Sequence, residues 1–196
     1  GHAVAAVAAI TPYIAEEALS LIEIDYEELP PVLDVLDAMT PGSPVLHPAL
    51  RTMSDSTLRT GGLGPEDNEE PTNIANRFVH EIGDIKKGFT EANLVVERDF
   101  RTGPVHQGYI EPHSATALWH PDGELTIWCS SQGHFGIRDM TAAILGIPQS
   151  KIKVVPMEIG GGFGGKLGIY LEPVTALLSK KSGQPVKITM SRADVF

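Results

Sequence analysis

The run of residues from Gly160 to Lys166 constrains this chain more than any other stretch. It reads Gly-Gly-Gly-Phe-Gly-Gly-Lys, so that five glycines surround one aromatic side chain. Glycine loses more conformational freedom on folding than any other residue, and a dense cluster therefore indicates a backbone that needs positive φ or a close approach to another group. The run predicts a loop whose main chain contacts a ligand.

The same run partly matches a P-loop. Gly160, Gly165 and Lys166 fit the pattern G-x-x-x-x-G-K, but Leu167 stands where a P-loop has the Ser or Thr that binds magnesium. Glu158 would also place a negative charge near a triphosphate. Nucleotide hydrolysis is therefore disfavoured.

The run also fits a dinucleotide-binding fingerprint, G-x-G-x-x-G, through Gly160, Gly162 and Gly165. A predicted strand precedes it, and Asp194 is available as the acid at the end of the next strand. A doubly wound sheet, however, needs several more βα units than the few residues after the loop provide. A Rossmann-like dehydrogenase domain stays open as an alternative, beside a non-catalytic scaffold piece.

The usual metal-binding side chains are sparse. The chain of 196 residues has one cysteine, Cys129, and seven histidines. A single cysteine excludes a disulfide within the chain and any all-cysteine zinc or iron–sulfur site, and its apolar neighbours predict a buried core thiol. The histidines show no metal-ligand spacing. No direct metal ligand is predicted, so any metal would have to arrive held by something other than this chain.

The acidic residues are concentrated in the first part of the chain. Residues 1–76 have 13 acids and 2 bases, whereas residues 77–196 have 12 acids and 13 bases. No basic footprint for nucleic acid is present, and no apolar run reaches the length of a membrane span. We therefore expect a cytoplasmic protein with neither nucleic acid nor a membrane as a partner.

Hydrophobic periodicity predicts a mixed α+β fold. In the first part, strands at residues 4–10 and 23–29 flank a helix at residues 15–22 that starts at Thr11-Pro12, which gives a β-α-β unit. Residues 40–72 are rich in proline, glycine, serine and threonine and predict a surface linker. A linker of this length marks a domain boundary.

The second part alternates strands and helices. Strands are predicted at residues 76–83, 94–101, 114–120, 124–129, 151–155 and 185–190. The turn Pro121-Asp122-Gly123 joins two alternating segments and predicts a hairpin. Helices are predicted from the N-cap Asp84 to residue 92, at residues 135–145 before Gly146 and Pro148, and from about residue 170 to residue 181.

Three passages carry a family resemblance. Residues 1–33 contain VAAVAA and IEIDYEELPPVL, residues 83–100 and 105–117 read GDIKKGFTEANLVVERDF and VHQGYIEPHSATA, and residues 159–166 read IGGGFGGK. In this order they resemble the large, molybdenum-binding subunit of the xanthine dehydrogenase and aldehyde oxidase family, the molybdenum hydroxylases. The resemblance implies the C-terminal part of a hammerhead domain at residues 1–39, a linker at 40–75, and the N-terminal part of a molybdopterin-binding domain at 76–196.

The resemblance implies a fragment, or one of several polypeptides, of an oxidoreductase that hydroxylates an aldehyde or a heterocycle with water-derived oxygen. The molybdenum is carried by a pyranopterin, as molybdopterin or its cytosine dinucleotide form, so the protein supplies hydrogen-bond donors instead of metal ligands. The family's catalytic base is a Glu in a late GxGE motif, which does not occur in these residues. We therefore expect no catalytic residue in this chain and no activity of the chain alone. The implied partners are the rest of the molybdenum subunit, an iron–sulfur protein, an FAD protein and a small-molecule substrate.

By resemblance, the cofactor-binding residues are Gln107, Gln132, Gly161, Gly162, Phe163 and Gly164. Gln107 is the candidate for the glutamine that bonds the apical oxygen of molybdenum, although the family's register points to Val105. Gln132 is a second amide donor or, as the alternative, a residue that caps its own loop.

Phe163 and Leu167 are expected to shape the substrate pocket, with a core anchor as the alternative role of Phe163. Leu167 stands where purine-oxidising members have a Glu that binds the heterocycle, which favours aldehydes or less polar heterocycles over xanthine. Glu111, His113 and Lys166 are interpreted as structural. In this interpretation Glu111 orients the segment that carries Gln107, and Lys166 pairs locally.

Overall fold

A four-stranded mixed sheet with two helices packed on one face forms the core of this chain. The structure is a computed structural model that describes residues 3–51, 70–75 and 80–196. In chain order, the elements of the described residues are α1 (Pro12–Leu19), α2 (Val35–Ala38), α3 (Ile85–Glu91), β1 (Ser114–Trp119), β2 (Leu125–Cys129), α4 (His134–Leu145), the 3₁₀ helix Gln149–Lys151, β3 (Ile152–Pro156), α5 (Glu172–Ser182), β4 (Val186–Thr189) and α6 (Arg192–Val195). The predicted α+β class is confirmed.

The strand order of the sheet is β3-β2-β1-β4. β1 runs antiparallel to both β2 and β4, whereas β2 and β3 are parallel. The predicted hairpin joins β1 to β2, and its turn is closed by the amide of His120, which donates to the carbonyl of Glu124 at 2.7 Å. The alternating pattern fixes this register, because a slip of one residue would turn the apolar side chains to the other face.

The core lies between the sheet and helices α4 and α5. Along β1 and β2 every second residue points inward, and Ala115 lies opposite Cys129. Ile137 of α4 and Ala176 of α5 are fully buried in the same cluster. Cys129 is a core thiol, as predicted, and burial raises its pKa to about 12, so it stays protonated at neutral pH.

The chain divides into two compact units, residues 1–24 with 102–196, and residues 25–101. The first unit contains the sheet and the glycine-rich run. The second contains α2 and α3, with Asp34 and Asp84 as N-caps, and Asn73, whose side-chain amide donates to the carbonyls of Ala38 and Pro44. The domain limits inferred from the sequence, with the linker at residues 40–75, remain a prediction.

Most predicted elements of the second part of the chain form within about two residues of the expected limits. Three predicted strands, at residues 4–10, 23–29 and 94–101, are wrong. A strand needs a neighbour to satisfy its backbone groups, and the described residues offer these segments none. The predicted strand at residues 76–83 lies partly outside the described residues, and its last four residues form no strand.

The predicted β-α-β unit is consequently reduced to its helix. α1 begins at Pro12, where the side chain of Thr11 accepts a bond from the amide of Ile14 at 3.3 Å. Side chains that alternation would bury on the following segment are exposed instead, among them Ile24 and Tyr26. A pattern of period two specifies a buried face only where a second layer covers it.

A doubly wound dinucleotide fold is excluded, because that fold needs a mostly parallel sheet and β1 pairs antiparallel on both sides. Asp194, the acid of that alternative, caps α6 instead, where its carboxylate accepts bonds from the amide and the hydroxyl of Ser191 at 2.9 and 2.7 Å. In the part of the chain that the structure describes, no helix is both long enough and apolar enough to cross a membrane.

Candidate functional site

Residues 160–166, called the glycine loop below, follow β3 and lie against the segment between β2 and α4. In that segment, Oε1 of Gln132 accepts hydrogen bonds from the amides of Gly164 at 3.0 Å and Lys166 at 3.2 Å. The carbonyl of Lys166 accepts in return from the Gln132 amide at 2.9 Å and from the Ser131 hydroxyl at 3.1 Å. These bonds fix the C-terminal half of the loop.

Glu111 holds the other end of the glycine loop. Its Oε2 accepts from the amide of Gly160 and from Nζ of Lys166, each at 2.6 Å, and its own amide donates to the Gly160 carbonyl at 3.3 Å. Burial alone would raise the pKa of the Glu111 carboxyl, but the bonds from Lys166 and Gly160 outweigh it and hold the pKa below its ordinary value. At neutral pH Glu111 is therefore a carboxylate.

These contacts modify two expectations. Lys166 is paired, but with a residue 55 positions away rather than locally. Glu111 orients the glycine loop rather than the segment that carries Gln107. The sequence shows both residues, yet only the fold brings them together.

A buried histidine, His113, contacts the glycine loop at the carbonyl of Gly165. Nε2 of His113 donates to the carbonyl of Gly165 at 3.2 Å, so the ring proton lies on this nitrogen and the hydroxyl of Tyr109 donates to Nδ1 at 3.3 Å. The ring of Tyr170 lies 4.2 Å from the His113 ring, centre to centre. Burial lowers the pKa of His113, which is therefore a neutral structural donor at pH 7, in agreement with its predicted role.

Three consecutive amides of the loop remain unused. Within the described residues, the N–H groups of Gly161, Gly162 and Phe163 donate to no protein acceptor, whereas those of Gly160, Gly164, Gly165 and Lys166 all do. Gly161 has a φ of 94°, and Phe163 has a φ of 49°, which is unusual for a residue with a Cβ. The backbone of Phe163 is thus strained although its side chain, which is 73% exposed, contributes little to the core. Strain of this kind points to a function of the backbone here.

The residues predicted from the sequence occupy different places around the loop. Gln132 contacts the loop directly, whereas Gln107 is exposed and lies beside Gly165, with its carboxamide about 3.1 Å from where a Cβ at 165 would stand. Val105, the alternative to Gln107, is 91% exposed. Phe163 is not a core anchor, and Leu167 is also exposed, at 55%.

Sequence reasoning missed Ser131 and Tyr109. Ser131 adjoins a predicted site residue, and its small polar side chain before a helix was the available signal. The sequence contains no such signal for Tyr109, because a tyrosine in an irregular segment is more often a packing residue than a functional one.

A groove of about 580 Å³ opens beside Gln132. It runs between the first turn of α4 and the edge strand β3, and its polar side chains include His134, Arg138 and Lys153. Nε2 of His134 is buried and has no hydrogen-bond partner within the described residues. The described residues contain no cluster of His, Cys, Asp or Glu that would hold a metal ion by itself.

Comparisons with known proteins agree with this architecture. The sequence model of the family described as molybdopterin cofactor-binding domain matches residues 66–196. The chain belongs to this family, and its resemblance to the molybdenum hydroxylases is confirmed. The dinucleotide-binding alternative finds no support.

Similar proteins include several named oxidoreductases. The chain is 34% identical over 212 residues to the probable hypoxanthine oxidase XdhD of Escherichia coli (strain K12), covering 100% of this chain and 22% of that protein. It is 32% identical over 194 residues to the nicotinate dehydrogenase large molybdopterin subunit of Eubacterium barkeri, covering 99% of this chain and 40% of that subunit. The crystal structure of quinoline 2-oxidoreductase from Pseudomonas putida 86 is similar with a TM-score of 0.71 and 27% identity, over 94% of this chain and 21% of that one. The chain thus spans less than half the length of each relative.

Proposed function

We propose that this chain forms one wall of the cofactor site of a molybdenum oxidoreductase. The observation that carries the proposal is the row of three free amides at residues 161–163, held from its two ends by Glu111 and Gln132. Successive main-chain N–H groups in a tight loop are donors for electronegative groups. A donor set without metal ligands suits a cofactor that brings its own metal.

The free amides of Gly161, Gly162 and Phe163 would hold the cofactor, and Gly164 would keep the loop against Gln132. Because Oε1 of Gln132 already accepts two loop amides, its Nε2 is the group left to donate to the cofactor. This assigns the direct amide donor to Gln132 and leaves Gln107 as a second polar group beside Gly165. When bound, the molybdenum–pterin group supplies the oxidation of a substrate carbon.

The complete enzyme, in this proposal, hydroxylates an aldehyde or a heterocycle with water-derived oxygen and works in the cytoplasm. The relatives named above support a nitrogen heterocycle: two are named for the pyridine-type compounds nicotinate and quinoline, and the third for hypoxanthine, which is a purine. The Leu167 test below distinguishes these two kinds of heterocycle. The catalytic base would come from the rest of the subunit. Iron–sulfur and FAD partner proteins would accept the electrons, since Cys129 alone binds no cluster.

The first test measures molybdenum and pterin in the holoenzyme assembled from the complete subunit and its partners. We expect both in near-equal amounts in the wild type, and a loss of roughly tenfold or more in activity per subunit for Gln132→Ala, because a preorganised donor is removed. Gln149→Ala is the matched control, since Gln149 is exposed in the 3₁₀ helix away from the loop. A wild-type holoenzyme that lacks molybdenum and pterin would refute the proposed function.

The second test concerns the substrate pocket and Leu167. An apolar side chain at this exposed position gives a purine no hydrogen-bond partner, so we expect aldehydes or quinoline-type heterocycles to be turned over with a higher kcat/KM than xanthine. Leu167→Glu should lower the ratio of kcat/KM for these substrates to kcat/KM for xanthine by about 10-fold or more, because it adds the missing acceptor. Steady-state kinetics over the same substrate panel measure both effects. Efficient xanthine turnover by the wild type would contradict this assignment while leaving the cofactor site intact.

A further inference from the structure

The two ends of the glycine loop meet at one ion pair, in which the lysine is buried and the glutamate is partly exposed. Oε2 of Glu111 accepts from the Gly160 amide at the start of the loop and from Nζ of Lys166 at its end, each at 2.6 Å. The side chain of Lys166 is 0% exposed and that of Glu111 is 32% exposed. A single carboxylate oxygen thus closes the loop into a ring.

The ammonium group of Lys166 depends on this contact. Within the described residues, Glu111 is its one ion-pair partner, and the ring of Tyr109 lies 5.1 Å from Nζ as a second, weaker contact. Burial of an unpaired charge is costly, so Lys166 without Glu111 would have to leave its buried position. The loop would move with it, because Lys166 is its last residue.

The segment that carries Glu111 is itself fixed. Arg192 of α6 donates to the carbonyls of Tyr109 and Ile110, immediately before Glu111. The carboxylate is therefore presented from a held backbone rather than from a free loop. Gln132 holds the remaining side, through the amides of Gly164 and Lys166.

We infer that the Glu111–Lys166 pair is a positioning device of the active centre: the pair, rather than either charge alone, sets where the free amides at residues 161–163 stand. This inference rests on the proposed function. Both residues are positioning residues, since they act on the cofactor only through the loop. The pair also leaves the loop without net charge.

The test is a double-mutant cycle in the assembled holoenzyme, with Glu111→Gln, Lys166→Met and the double variant. The readouts are molybdenum and pterin per subunit, the Mo(V) electron paramagnetic resonance spectrum, and kcat and KM per bound molybdenum. We expect each single variant to lower kcat per molybdenum roughly 10- to 100-fold, as small misplacements do, and to shift the Mo(V) spectrum. The double variant should recover part of this loss, because no buried charge is left unpaired and the carboxamide introduced by Glu111→Gln can still accept from the Gly160 amide.

The exposed pair of Lys151 and Glu124, with Nζ and Oε1 4.0 Å apart, is the matched control. Lys151→Met with Glu124→Gln should leave all readouts at wild-type values. The inference would be overturned if Glu111→Gln and Lys166→Met each had the wild-type kcat per molybdenum and an unchanged Mo(V) spectrum. If the single variants do not assemble, the double variant decides: recovered loading supports the pair, and a loss equal to the worse single variant overturns it. A wild type without molybdenum would instead count against the proposed function itself.

Discussion

Gly162 lies so close to Gln132 that a side chain at this position meets it directly. A Cβ at residue 162 would stand 2.5 Å from Oε1 and 2.7 Å from Cδ of Gln132, and residue 162 is buried. We predict that Gly162→Ala displaces Gln132 and breaks its bonds to the amides of Gly164 and Lys166. The expected cost is about 1–3 kcal/mol of unfolding free energy, with a fall in bound molybdenum. Thermal unfolding and metal analysis of the holoenzyme measure the two effects.

Gly88→Ala provides the control for this substitution. Gly88 lies inside α3, and nothing stands within 4 Å of a Cβ placed there. Alanine in a helix interior is favoured over glycine, so stability should rise by about 0.5–1 kcal/mol with no change in molybdenum content. An equal loss of molybdenum in both variants would contradict the steric explanation.

The candidate site was only partly predictable at the scale of single residues. The glycine run predicted its loop, because no other role explains so many glycines together. Gln132 was predicted as an amide donor from a family resemblance, but its acceptor role towards Gly164 and Lys166 was not, since these residues are more than 30 positions away. Contacts across such distances are set by the sheet, and a pattern read along the chain does not contain them.

One buried hydroxyl links helix α5 to the sheet, in addition to the apolar packing of Ala176 in the core. The side chain of Ser179 is fully buried, donates to the carbonyl of Gln184 at 2.7 Å and accepts from the amide of Trp119 at the end of β1 at 2.9 Å. We predict that Ser179→Ala destabilises the chain by about 1–3 kcal/mol, because two hydrogen bonds to backbone groups are lost and each is worth about 0.5–1.5 kcal/mol. Chemical denaturation measures this change.

Ser182→Ala is the comparison for that prediction. Ser182 stands at the end of the same helix, and its hydroxyl makes longer contacts, at 3.4 Å to the Ser179 carbonyl, 3.5 Å to the Gln184 carbonyl and 3.3 Å from the Gln184 amide, which donates to it. Its loss should cost less than half as much as the loss of Ser179. A larger loss of stability for Ser182→Ala than for Ser179→Ala would contradict the role assigned to the Ser179 hydroxyl.

At the scale of elements, the same alternating pattern succeeded in one place and failed in another. It predicted β1 and β2 correctly, because a tight turn pairs the two strands and helices α4 and α5 cover the face on which every second residue is apolar. It failed at residues 23–29, where the described residues supply neither a partner strand nor a covering layer; the strands predicted at residues 4–10 and 94–101 also lack a partner there. An alternating sequence shows only that the side chains would suit a half-buried strand. Whether a strand forms depends on a neighbouring strand to pair with.

At the scale of the whole molecule, the glycine loop belongs to a crossover between the two edges of the sheet. β3 leads into the loop at one edge, α5 passes over the sheet, and β4 arrives at the other edge beside β1. The topology followed from the order of elements only in part: the sequence predicted the strand, loop, helix and strand, but not that β4 pairs with β1. Pairing partners depend on long-range contacts that periodicity does not encode.

The anchoring contacts and the exposed side chains of the loop do not overlap. Glu111, Gln132 and Lys166 hold the main chain, whereas Phe163 and Leu167 project outward, 73% and 55% exposed. In the proposed site, substitutions at these two outward positions would change the surface that faces a substrate without removing any of the hydrogen bonds that hold the loop.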